Sequence, residues 1–86
     1  MQIESTWRPF TGPPDTPRSK LPESAFAFPA ERSEPLTDAV HVRGAIARFT
    51  QVRGVTDAER DVAFKNIEKA AAYYDVVLRT HDWHDL

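Results

Sequence analysis

Apolar positions change rhythm in the middle of the chain. After Leu36 they recur every three or four residues as far as Tyr74, whereas before it they come singly or in pairs between prolines. A three-to-four period marks one face of a helix. Ala39, Val42, Ile46 and Phe49 form such a stripe, widened by Val40 and Ala47, and predict a helix over 37–51. Thr37 or Asp38 can start it, because a short side-chain oxygen accepts an orphan helix N–H. Gly44 sits inside this helix at a cost of about 1 kcal/mol relative to Ala. A close backbone approach, by the preceding arm or by another helix, would account for it. Gly54 supplies the next turn.

A second stripe, Phe64, Ile67, Ala71 and Tyr74 with Ala63 and Ala70 beside it, predicts a helix over 56–74. Thr56 and Glu59 have the spacing of a capping box, and Asp57 suits the positive end of the helix dipole. Asp61 and Lys65 are an i,i+4 pair. Beyond it lies a tail, 75–86. Its Val76–Leu78 stretch is β-branched and reads as extended or packed, and Thr80 can cap one last turn in "THDWHDL".

All seven prolines lie at or before position 35. Proline removes a backbone donor and fixes φ, so no regular helix is expected there. Residues 1–20 read as a Pro-rich loop, mobile unless Trp7 and Phe10 dock. Residues 21–35 read as an extended arm. In an extended backbone Phe26 and Phe28 point to one side and Ala25 and Ala27 to the other.

Two helices joined by a short loop favour an antiparallel hairpin. That hairpin leaves an apolar side open, and isolated helices of this length are marginal. Without cysteines there is no disulfide to help. Two buried Phe side chains contribute roughly 1.5–3 kcal/mol each, a large share of the net stability of about 5 kcal/mol expected for a small domain. The expected fold is therefore mainly α: an antiparallel two-helix hairpin, an extended Pro-rich N-terminal arm packed on it, and a short tail. Its expected core is Phe26, Phe28, Val42, Ile46, Phe49, Phe64, Ile67 and Tyr74. Two alternatives for the Phe pair are an exposed recognition peptide and the seam of a homodimer.

The stretch from Leu21 to Val76 resembles a recurrent bacterial and phage-associated domain of unknown function. The resemblance rests on the arm "LPESAFAFP", the helix "HVRGAIARFTQ" and the helix start "TDAER", together with their spacing. It implies a fold and a context, including occurrence beside phage head-morphogenesis or protease proteins, but no activity and no catalytic residues. Two positions depart from the pattern. Gly44 stands where Asn is usual. Asp75 stands where Gly is usual, and Asp enters the left-handed C-cap conformation less readily, so the second helix is expected to end differently.

Eighty-six residues allow one domain. There is no apolar run long enough for a membrane span and no signal-peptide pattern at the start; a cytoplasmic location is expected. The formal charge of −2 is far from the basic footprint that dominates nucleic-acid affinity.

Candidate chemistry is sparse. His41 has Asp38 three residues before it but no evident nucleophile, and a structural role is expected; an enzyme reading requires a pocket holding His41. His81 and His84 within "HDWHD" fall short of the three or four ligands of a zinc site. Arg43, Arg48 and Arg53 are the basic candidates for nucleic acid, but Arg43 and Arg48 lie about 140° apart on a helical wheel. No phosphate loop or nucleophile elbow is present. No catalytic residue, cofactor or metal is assigned. The expected function is a non-catalytic protein-interaction or structural module, acting on an unidentified protein partner, with a homodimer possible and no membrane. The alternative is a small nucleic-acid-binding protein using Arg43, Arg48 and Arg53.

Overall fold

The computed structural model describes residues 3–86. Two helices form where the apolar stripes predict them, with trimmed ends. Helix α1 runs Ala39–Arg48 and is capped by Asp38, whose side chain accepts the His41 N–H. A 3-10 turn, Phe49–Gln51, continues it. Helix α2 runs Asp57–Tyr73 and starts with the full Thr56–Glu59 capping box.

The arm carries structure of its own. Strand β1, Phe26–Phe28, pairs antiparallel with β2, Ser33–Pro35, with Phe26 opposite Pro35 and Phe28 opposite Ser33. The turn between them is closed by the Arg32 N–H to the Pro29 carbonyl. Arg32 and Glu34 both take positive φ, 51° and 58°.

This overturns the mainly α expectation. The molecule is two helices plus a two-stranded antiparallel sheet. The sheet is no mere strap over a helical hairpin: α2 makes its broadest contact with β1, while α1 packs against both β2 and α2. The physical reason is economy of exposed surface. A two-stranded ribbon is not stable alone, but β1 is buried along its whole length, so it serves as a core layer between helix and turn.

The two phenylalanines are both buried but part company. Phe28 lies in the main core with Trp7, Ala27, Leu36, Val42, Ala45, Phe49, Phe64 and Ile67, and half-buried Ile46 and Tyr74 pack against it. Phe26 belongs to a satellite cluster with Leu21 and Ala25. The guanidinium of Arg32 lies over its ring at 4.8 Å, and that of Arg18 at 5.8 Å. The same two arginines exchange hydrogen bonds with each other's carbonyls, at 2.8 and 3.0 Å. Ala27 of β1 and Ala25 just before the strand are fully buried as well.

Trp7 docks. It is 1% exposed, and its indole Nε1 donates to the Leu36 carbonyl at 3.1 Å. Phe10 is half-buried against the satellite cluster. At Gly44 the nearest neighbour is a side chain and not a foreign backbone: a Cβ there would touch the Arg48 guanidinium, one turn along the same helix, at 2.8 Å. Asp75 takes the left-handed conformation at φ 59°, and the Val76 N–H reaches back to the Ala71 carbonyl at 2.8 Å. That is the six-to-one bond of a Schellman cap. The helix ends as a Gly-terminated helix does, despite the Asp.

Candidate functional site

The most heavily bonded side chain is one that sequence reasoning passed over. Among the described residues Asn66 is the one buried polar residue, and it is fully enclosed. Its Oδ1 accepts from the N–H groups of Thr6 (2.7 Å) and Trp7 (2.9 Å) and from the Ser5 hydroxyl (2.7 Å). Its Nδ2 donates to Thr6 Oγ1 at 3.0 Å and to the Ala27 carbonyl at 2.8 Å. Helix α2 thereby holds both the N-terminal segment and β1. The signal was present: Asn66 lies between Ala63 and Ala70 on the inward stripe, where a polar group must find partners.

A cleft of about 450 Å³ opens beside the start of α1, lined among others by Phe10, Pro13, Pro14, Arg18, Pro35 and His41. His41 Nδ1 lies 2.8 Å from Asp38 Oδ1, the same oxygen that caps the helix by accepting the His41 N–H. Desolvation pushes Asp38 upward, but the backbone and ring hydrogen bonds of His41 outweigh it and hold the carboxyl below its ordinary value. The cleft therefore does contain His41, but its lining includes no serine or cysteine; of its two threonines, Thr16 and Thr37, the Thr16 hydroxyl donates to the Pro13 carbonyl at 2.6 Å. What the arrangement performs is helix capping.

The three arginines are not brought together. Arg48 pairs with Glu34, Nη2 to Oε1 at 3.0 Å and Nε to Oε1 at 3.1 Å. Arg53 shares a shallow groove with Arg48. Arg43 faces elsewhere, onto the C-terminal tail.

The two tail histidines take separate partners. His81 Nδ1 meets Glu68 Oε2 at 3.2 Å, and His84 Nδ1 meets Asp82 Oδ1 at 2.6 Å. The bond to Asp82 raises His84 above its ordinary value, and the same bond lowers Asp82. Among the described residues no group of three or more His, Cys, Asp or Glu side chains could hold a metal ion. The last turn, Trp83–Asp85, is capped by Asp82 as well as braced by Thr80, which accepts the Asp82 N–H. Trp83 anchors it, donating from Nε1 to Asp61 Oδ1 at 2.8 Å.

A second groove, about 570 Å³, runs between α1 and this tail. Ile46, Val76, Val77, Leu78 and Leu86 supply its apolar lining, with Arg43, Asp75 and Arg79 among its charged members. Val77 is 83% exposed, the most solvent-exposed large apolar side chain described. The sequence signal was the β-branched run Val76–Leu78 directly after a helix stop.

Fold and surfaces together define a small α+β domain of two helices and a two-stranded antiparallel sheet. The chain belongs to a Family of unknown function (DUF6582), which it matches over residues 12–81. No curated protein and no solved structure matches it. No helix among the described residues is long and apolar enough to cross a membrane.

Proposed function

We propose that this domain is a non-catalytic protein-interaction module that presents the groove between α1 and the tail to a protein partner. One observation carries the reading: large apolar side chains, Val77 above all, stand in solvent beside a groove, while Asn66, Asp38 and Glu34 are engaged within the fold. Exposed apolar surface at a groove is where proteins meet partners. The nucleic-acid alternative has less support, since Arg43 is separated from Arg53 and Arg48 is neutralised by Glu34. The resemblance of Leu21–Val76 to a phage-associated domain would suit an assembly role for this module.

The test is an alanine scan of exposed residues, followed by capture of the partner on the immobilised chain. Losses confined to Arg43, Ile46, Val77 and Arg79 support the module and its face. Unchanged capture across the whole scan counts against it.

A further inference from the structure

Along the tail, burial alternates with every residue. Val76, Leu78 and Thr80 are half-buried, whereas Val77, Arg79 and His81 are exposed. Period-two burial is the signature of a strand lying on a core, and Val76 and Leu78 do pack against the main core. Yet this segment belongs to no sheet. Among the described residues, no hydrogen bond reaches the backbone N–H or C=O of Val77, Leu78 or Arg79; the last one before them is Val76 N–H to the Ala71 carbonyl. A strand-like segment with free backbone groups is a template for another strand.

We propose that Val76–Arg79, up to the bend at Arg79, is a β-augmentation site, taking an extended segment of a partner protein with alternating apolar and acidic residues. This rests on the interaction-module reading and specifies its mode. Main-chain bonds to the free backbone groups of Val77 and Arg79 supply the docking, and the apolar lining of the groove, from Ile46 to Leu86, receives alternate side chains. The charge pattern chooses the occupant. Arg43 and Arg79 line the groove and neither forms an ion pair among the described residues, against one acidic side chain, Asp75. A second copy of this chain, pairing tail to tail, would bring the two Arg79 guanidinium groups towards each other, whereas acidic side chains complement them.

The probe is a capped hexapeptide alternating glutamate and valine, titrated into the 15N-labelled full chain, with a lysine–valine hexapeptide as control. Saturable shifts centred on the Val77 and Arg79 amides are expected, with at least tenfold slower amide exchange there at saturation. The lysine peptide is expected to bind at least tenfold more weakly, and the R43E/R79E double variant to reverse that preference. Both arginines are exposed, and a dispersed spectrum verifies that the variant folds. V77P, which removes one exposed donor, is expected to abolish binding in a folded chain. No shift at Val77, or no discrimination between the peptides, overturns the proposal. So does protection of these amides in the free chain that rises with concentration as the mass doubles, which assigns the edge to a second copy. If the alanine scan places the partner on the Arg48–Arg53 groove while the peptide leaves Val77 unmoved, this inference and the face assigned to the module both fail, and only the non-catalytic module reading stands.

Discussion

Asn66 Oδ1 accepts the backbone N–H of Trp7 at 2.9 Å, joining residues 59 positions apart in the chain. Around that bond one carboxamide also binds Ser5, Thr6 and the carbonyl of Ala27. An apolar replacement removes the partner of the Thr6 N–H and of the Ala27 carbonyl and leaves the Trp7 N–H only its 3.1 Å bond to the Ser5 hydroxyl, and each buried orphan costs about 1–3 kcal/mol. Asn66→Ala is therefore expected to lose about 3 kcal/mol, lowering Tm by roughly 15 °C for a domain of this size. Thermal unfolding measures it. A loss below about 0.5 kcal/mol, the range of ordinary surface changes, contradicts the role given to Asn66.

Gly44 is free to become alanine. The nearest neighbours of an added Cβ are atoms at the far end of the Arg48 side chain, which is half exposed in its pair with Glu34. Exposed pairs are worth roughly 0–1 kcal/mol, and the helix gains about 1 kcal/mol from Ala. Gly44→Ala is expected to stabilise by up to about 1 kcal/mol in chemical denaturation. Clear destabilisation means that the guanidinium cannot move aside.

Asp75 holds a left-handed backbone at φ 59°, where a residue with a Cβ is strained and glycine is not. Asp75→Gly removes that strain at an exposed position and is expected to raise stability by about 1 kcal/mol. A drop in the denaturation midpoint indicates that the Asp side chain contributes something that the backbone geometry does not reveal.

The His84–Asp82 pair has a defined pH window. The bond to Asp82 raises His84 above its ordinary 6.5, so the pair's contribution is complete below 6.5 and fades as pH rises through the folded-state value. The same bond lowers Asp82 below its ordinary 3.8, so its contribution holds above 3.8 and fades as pH falls through the lowered value. Asp82→Asn is expected to return the His84 ring titration, followed by NMR, towards 6.5. An unchanged midpoint removes Asp82 as the cause.

The helices were legible because their signals are local. Thr56 and Glu59 announce the start of α2 three residues apart, and Asp38 announces α1. The sheet was not legible because its cues conflict: Pro35 closes β2, and Arg32 and Glu34 bend the hairpin through positive φ without the glycine that ordinarily marks such positions. Two rings on one side of a strand predict a shared core, yet Phe26 is drawn into a separate pocket under Arg18 and Arg32, contacts that no local spacing encodes. Asn66 is the clearest case of a signal seen only with the fold in hand. Its position on the apolar stripe demanded a partner, and the partners lie sixty residues away. The tail groove was half legible: Val76–Leu78 read as extended, but its pairing with Ile46 and Arg43 depends on the turn at Asp75.

The segment from Ser5 to Trp7 is part of the core, held to α2 through Asn66 and the buried Trp7 ring. Native-state hydrogen exchange of the Trp7 backbone amide tests it most directly. The expected result is an opening free energy equal to that of the buried α2 amides near Ile67, because the bond to Asn66 breaks only when the domain unfolds globally. Exchange at the rate of an unstructured peptide, with α2 still protected, contradicts it.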